Sequence, residues 1–231
     1  MEDFRTLKFN PEREVPPINK PESAFYHYNR VVLPAVERFN QAIAGDSNFR
    51  NLSPVEVIQK TTASRKHARL FSAASEIVNH KFFFESLSTK PAEVGPVTKK
   101  HLEIHFESVE GFKNKFSLHA EALSGSGWTW LIAKDGHLEI VNTFNNGTAF
   151  GVPGVVPIFA IDLWEHAYIF DHVTKKDYVA SVFESVDWVI VEERIQKVEE
   201  QFTNLKRIGE QMNARSKEIL ETIINEKIFI S

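Results

Sequence analysis

Asp162 and His166 stand four residues apart in the run Asp162-Leu163-Trp164-Glu165-His166-Ala167-Tyr168, with an aromatic and a second acid between them. A carboxylate and an imidazole at that spacing can close on one metal ion. The same two residues could equally serve as a strand-end cap and a buried hydrogen-bonding imidazole. Cysteine is absent from the chain, which excludes disulfides, thiolate metal sites and cysteine nucleophiles. His101 and His105 share a helix face at i, i+4, but no third ligand accompanies them, so a solvated face is the ordinary reading.

The elements that must carry these residues follow from apolar periodicity and turn chemistry. Residues 1–21 contain Pro11, Pro16, Pro17 and Pro21 among mixed charges and read as an extended arm. Phe25, Val32, Val36, Phe39 and Ile43 predict a helix from Ser23 to Ala44, with a kink or break at Pro34. Ser53-Pro54 is an N-cap followed by a first-turn proline, opening a helical stretch to about Leu87. The Lys90-Pro91 to Gly95-Pro96 segment reads as a linker, so domain boundaries fall at 22–92 and 96–194. Thr98 to Leu123 is helical with an interruption near Gly111.

The period then changes from helical to alternating. Trp128, Trp130 and Ile132 alternate with small or polar residues, Lys134-Asp135-Gly136 forms a tight turn, and Leu138 and Ile140 resume the alternation, which predicts a hairpin. Val156 to Ile161 is an apolar run of strand length that delivers Asp162 at its end. Helices are expected at Leu163–Phe170 and Lys175–Ser185. From Ile195 to Ile223 apolar residues recur with a period near 3.5, so residues 195–231 read as a helical extension whose seam either packs on the chain's own core or, the preferred reading, takes a partner helix.

Composition bounds the function classes. With 231 residues the chain can bury a real core, and 42% hydrophobic and 25% charged residues are ordinary for a globular protein. Net charge −4 gives no basic field for nucleic acid, so little direct RNA contact is expected. No apolar run approaches the roughly 20 residues of a membrane span. The opening residues MEDFRTLKFN read as neither a secretory signal nor a transit peptide.

The Asp162–Tyr168 run resembles the signature Asp-Val-Trp-Glu-His-Ala-Tyr of the iron/manganese superoxide dismutase family at six of seven positions. Three other stretches are similar to motifs of that family. They are Asn79-His80-Lys81-Phe82-Phe83, Ser124 to Leu131 with its Gly-Ser-Gly-Trp-Thr-Trp-Leu core, and Asp187-Trp188 followed by Arg194. The resemblance covers about residues 22 to 194. It implies an α+β fold: an N-terminal long-helix hairpin, then a mixed α/β domain with a small three-stranded antiparallel sheet. It also implies one iron or manganese ion held by His27, His80, Asp162 and His166. Three neutral imidazoles and one carboxylate suit either metal and leave a position for water or substrate. Glu165 resembles the family's dimer-bridging glutamate, so a homo- or heterodimer partner of the same fold is expected.

Other positions depart from the family's pattern. Its channel tyrosine and channel histidine fall at Ala35 and Val31, and the tyrosine that pairs with that histidine falls at Ile169. Its tryptophan after the Asn-His motif falls at Phe84, and its amide beside the metal-bound water falls near Asn146. Losing both channel partners together leaves no unpaired buried polar group, which looks like a relaxed constraint. These departures are similar to those of dismutase-like proteins in the mitochondrial small ribosomal subunit. The expectation is therefore a structural ribosomal subunit of the mitochondrial matrix without dismutase activity, with a metal site that is vestigial and free to stand empty. Its arm and C-terminal helix would contact other ribosomal proteins. The alternative is an active iron/manganese dismutase converting superoxide to oxygen and hydrogen peroxide.

Overall fold

A computed structural model describes residues 18–211 together with 221 and 224. The expected residues 1–17 of the arm, and the seam beyond Gln211, lie outside the described residues. The first described residues already pack inward. Ile18 is fully buried, its carbonyl meets His172 Nε2 at 2.9 Å, and Pro21 opens the first helix.

Helix α1 (Pro21–Tyr26) runs into a π-helical segment, His27–Val32, and on into α2 (Leu33–Ala44). The expected break at Pro34 is instead this widened turn ahead of it. Proline has no N–H to return to the preceding turn, and the Leu33 N–H reaches back five residues to the Tyr28 carbonyl. The widened turn begins at His27, which it buries.

The single helix expected from Ser53 to Leu87 is two helices, α3 (Pro54–Thr61) and α4 (Ala68–Glu85), with a 3₁₀ turn at Arg65–His67 between them. A reciprocal capping box starts α3: Ser53 N–H donates to Glu56 Oε2 at 2.7 Å while Glu56 N–H donates to Ser53 Oγ at 3.3 Å. The next pair, α5 (Pro96–Phe106) and α6 (Val109–Ala122), is divided at Glu107, not near Gly111. Glu107 takes φ 72°, and the Ser108 hydroxyl caps α6 by accepting from Gly111 N–H.

Strands β1 (Gly127–Lys134), β2 (His137–Phe144) and β3 (Val155–Asp162) form one antiparallel sheet in the order β2-β1-β3. Asp135 and Gly136, both at positive φ, make the two-residue turn of the β1–β2 hairpin. Gly127 is required by close approach, because a Cβ there would meet the Thr143 carbonyl oxygen at 2.2 Å. The helix expected over Leu163–Phe170 is only a 3₁₀ turn at Glu165–Ala167. Helices α7 (Lys175–Phe183) and α8 (Trp188–Gln211) complete the described chain.

Helix α8 begins seven residues before Ile195, so the boundary drawn at 194/195 runs through a continuous helix. Within it Val191, Ile195 and Val198 are buried in the chain's own core and Phe202 packs against them. The described part of the expected partner seam is thus spent internally. Its stripe meets α5 and β3, and Glu192 accepts the Thr98 N–H at 2.9 Å at the start of α5. The resulting fold is the mixed α+β architecture expected, with α4 and α8 both packed on β3.

Candidate metal centre

Four side chains from three parts of the chain converge where the π segment, α4 and the end of β3 meet. His27 comes from the π segment, His80 from the C-terminal half of α4, Asp162 from the last position of β3, and His166 from the 3₁₀ turn after it. One donor atom from each lies within 4.8 Å of all the others. His27, His80 and Asp162 are buried, and His166 keeps 15% of its side chain exposed.

The donors crowd one oxygen. Asp162 Oδ2 lies 3.3 Å from His27 Nε2, 3.3 Å from His80 Nε2 and 3.2 Å from His166 Nε2. His80 Nε2 and His166 Nε2 are themselves 3.4 Å apart. Asp162 Oδ1 accepts the Trp164 N–H at 2.9 Å, which fixes the direction of the carboxylate. His80 Nδ1 donates to the Glu76 carbonyl, one helical turn earlier, at 2.7 Å. That bond assigns the ring's hydrogen to Nδ1, so the neutral ring turns the lone pair of Nε2 toward Asp162.

Burial dominates the electrostatics. It pushes His27 from 6.5 down to about 3, against the pull of the neighbouring Asp162 carboxylate, so His27 is neutral at ordinary pH. Burial alone would raise Asp162. The closeness of His166, which also bonds the carboxylate, and of the other two imidazoles more than offsets it and holds the carboxyl well below its usual range. Burial likewise opposes a charge on His80, but its bond to Asp162 prevails and raises it.

The donor set fits a cation. His27 Nε2 is fully buried and makes no hydrogen bond despite its closeness to Asp162. A neutral His80 would face a lone pair to the carboxylate. Both features are unfavourable in a site holding only protein atoms and are relieved by a positive ion between them. Three nitrogens and one carboxylate oxygen match the preference of iron and manganese.

The neighbours are aromatic. Trp128 meets His80 edge-on with ring centroids 5.1 Å apart, Phe84 lies 5.1 Å from His27, and Trp164 stacks on His166 at 5.8 Å. At the departing positions, Ala35 is fully buried in the hydrophobic core while Val31 is half-buried. Asn146 spends its amide on Ser72 at 2.8 Å and Glu76 at 3.4 Å. Glu165 is exposed and accepts the Ser126 hydroxyl at 2.9 Å. Glu76 supports His80 through its backbone carbonyl, which any residue four positions earlier on the helix would offer, so no residue type in the sequence marks that role.

Sequence comparison supplies the ancestry. The family profile described as iron/manganese superoxide dismutases, C-terminal domain, matches residues 95–194. The iron superoxide dismutase of Bacteroides fragilis is 30% identical over 183 residues, covering 78% of this chain and 92% of that protein. The chain belongs to the iron/manganese superoxide dismutase family. A manganese/iron superoxide dismutase of Rickettsia conorii is 32% identical over 181 residues, covering 76% of this chain and 85% of its own length. An iron superoxide dismutase of Bordetella pertussis is 33% identical over 176 residues, covering 75% and 88%.

These relatives correct the functional expectation. Each is named as a superoxide dismutase, and the ligand constellation is intact in this chain. Nothing in the comparisons points to a ribosomal subunit or to ribosomal protein partners. The departures at Val31, Ala35 and Ile169 leave the four donors themselves in place. Holding a metal depends on the donors, and all four are gathered. The family takes iron or manganese, and the donors here suit that choice.

Proposed function

We propose that the chain is an iron- or manganese-dependent superoxide dismutase, converting two superoxide ions and two protons to oxygen and hydrogen peroxide. The observation that carries this is the convergence of His27, His80, Asp162 and His166 within 4.8 Å. When bound, the ion supplies a one-electron couple that accepts an electron from one superoxide and returns it to the next. The protein's residues bind, orient and exclude. Asp162 offsets cationic charge in a buried setting, and the Glu76 carbonyl holds His80 by its Nδ1–H. Phe84, Trp128 and Trp164 keep bulk water from the imidazole faces. His166 is the more exposed ligand, at 15% against 2% for His27 and His80, so a small anion approaches from its side.

Val31 and Ala35 carry no proton that titrates, so the protons consumed in forming peroxide come from water. The expected consequence is turnover with a lower ceiling than in a channel with a relay, because general acid catalysis contributes typically about 10²–10⁴-fold. The partner proposed is a second copy of this chain. The exposed side chains Phe25, Tyr26, Ile169 and Phe170 lie beside ligands His27 and His166 in sequence, and Tyr26 meets Phe170 with ring centroids 5.2 Å apart.

The test is elemental analysis of purified protein together with superoxide turnover. Close to one iron or manganese per chain, with turnover abolished by Asp162→Ala, is expected. Protein fully loaded with metal yet inert toward superoxide would defeat the proposal.

A further inference from the structure

A second group of metal-binding side chains lies outside the centre just described. His101 and His105 sit one turn apart on α5, and the fold brings two more donors to them. His137 arrives from the first position of β2, after the hairpin turn, and Glu199 from α8. His101 Nε2 lies 2.6 Å from Glu199 Oε1. The His101 and His105 rings are parallel with centroids 6.0 Å apart, and His137 meets His105 edge-on at 5.7 Å. For comparison, the three imidazoles of the core centre have centroids 4.7, 5.1 and 5.6 Å apart.

Two further observations point to a ligand here. His105 Nδ1 donates to the His101 carbonyl at 2.8 Å, the same i to i−4 arrangement by which His80 is oriented in the core centre. It assigns the proton to Nδ1 and leaves Nε2 of His105 as a free lone pair. In addition, His101, His137 and Glu199 line one cavity of about 80 Å³ over an apolar floor that includes Ile158, Ile195 and Val198. That volume exceeds what one water needs, and it opens onto three of the four donors.

We propose that His101, His105, His137 and Glu199 form a second metal site, for a zinc-class divalent cation, that ties α5, the β1–β2 turn and α8 together. Three imidazoles and a carboxylate make the tetrahedral set zinc accepts, with no change of oxidation state required. Unlike the core donors, these four are not already gathered to one point. Closure keeps the His105 Nδ1 bond to the His101 carbonyl, turns the exposed His137 side chain inward and exchanges the His101–Glu199 hydrogen bond for two bonds to the ion. Lys100 Nζ, 3.7 Å from Glu199 Oε1 and largely exposed, moves aside into solvent. The site stands apart from the dismutase reading and does not depend on it.

The experiment compares the full-length chain with His105→Ala and His137→Ala. Neither residue belongs to the core centre, and both have part of their surface in solvent. Each protein is dialysed against zinc chloride and its zinc, iron and manganese are counted. The unsubstituted chain is expected to hold one more zinc than either variant, with affinity in the variants weaker by at least about 100-fold, since losing even an outer partner of a ligand costs about 10–100-fold. Iron or manganese content is expected to be equal in all three. Cobalt(II) in place of zinc should give the visible absorption of a tetrahedral site in the unsubstituted chain and not in the variants. Equal zinc counts in all three proteins, or a parallel loss of iron or manganese in the variants, would overturn the proposal.

Discussion

Replacing Arg194 by alanine tests how the two halves of the metal centre are held in register. Arg194 lies on α8 with 14% of its side chain exposed. Its Nη1 donates to Ser86 Oγ at 2.7 Å and to the Ile158 carbonyl at 3.0 Å. Its guanidinium carbon sits 3.7 Å from the Phe82 ring centroid, and Glu85 is 3.8 Å from Nη2. One side chain thus braces α4, which carries His80, against β3, which carries Asp162. Ile158 falls at the irregularity in the β1–β3 register and has no partner residue on β1, so the guanidinium serves a carbonyl the sheet leaves aside.

Each of the two charge-assisted hydrogen bonds contributes about 1.5–3 kcal/mol, and the ring contact roughly 0.5–2 kcal/mol. Burying the guanidinium opposes them, as its fall from 12.5 to about 10 indicates; it stays charged at neutral pH. What alanine leaves behind is an unpaired carbonyl and a void over Phe82, so a net loss of about 3–4 kcal/mol is expected. For a chain of this size that lowers the unfolding midpoint by roughly 10 °C. Thermal and urea unfolding of metal-free protein read the stability, and elemental analysis reads the centre. Arg194→Lys should recover only part of it, because one ammonium cannot reproduce a planar fork over a ring. A loss below about 1 kcal/mol for alanine, or full recovery with lysine, would refute the bracing argument.

Further outcomes follow from the same structure. Ala35→Tyr should destabilise by about 1–3 kcal/mol in urea unfolding, because Ala35 is fully buried in the core; Val31→His, at a half-buried position, should cost less than half as much. The contribution of His27 to the stability of metal-free protein should be present in full above pH 6.5 and be lost as the pH falls toward about 3. The reason is that His27 binds its proton at 6.5 when unfolded and only near 3 when folded, so the unfolded chain gains protons first; His27→Phe should flatten the slope of unfolding free energy in that window. Chelation should lower the unfolding midpoint by about 5–10 °C relative to protein at a free metal concentration of 100 times its dissociation constant, where binding contributes about 2.7 kcal/mol. Gly136→Ala should cost about 1 kcal/mol in thermal unfolding, since φ +81° at the hairpin turn strains any side chain.

What was legible in the chain alone is what short-range chemistry controls. The Ser53-Pro54 helix start, the Lys134-Asp135-Gly136 turn, the alternation around Trp128 and Trp130, and the Asp162/His166 spacing depend on residues within a few positions of one another. They survive almost unchanged in the fold. The tertiary structure decided the rest. Whether Pro34 ends a helix depended on a turn that could widen to five residues and carry His27 inward. Whether the stripe at Ile195, Val198 and Phe202 seeks a partner depended on β3 and α5 lying within reach of it. Whether His101 and His105 form a solvated face depended on His137 and Glu199, 32 and 94 residues further along than His105. Periodicity reports which face of an element is apolar, but not which surface covers it. That is settled by contacts between distant segments, whose cost in chain entropy only the assembled core repays.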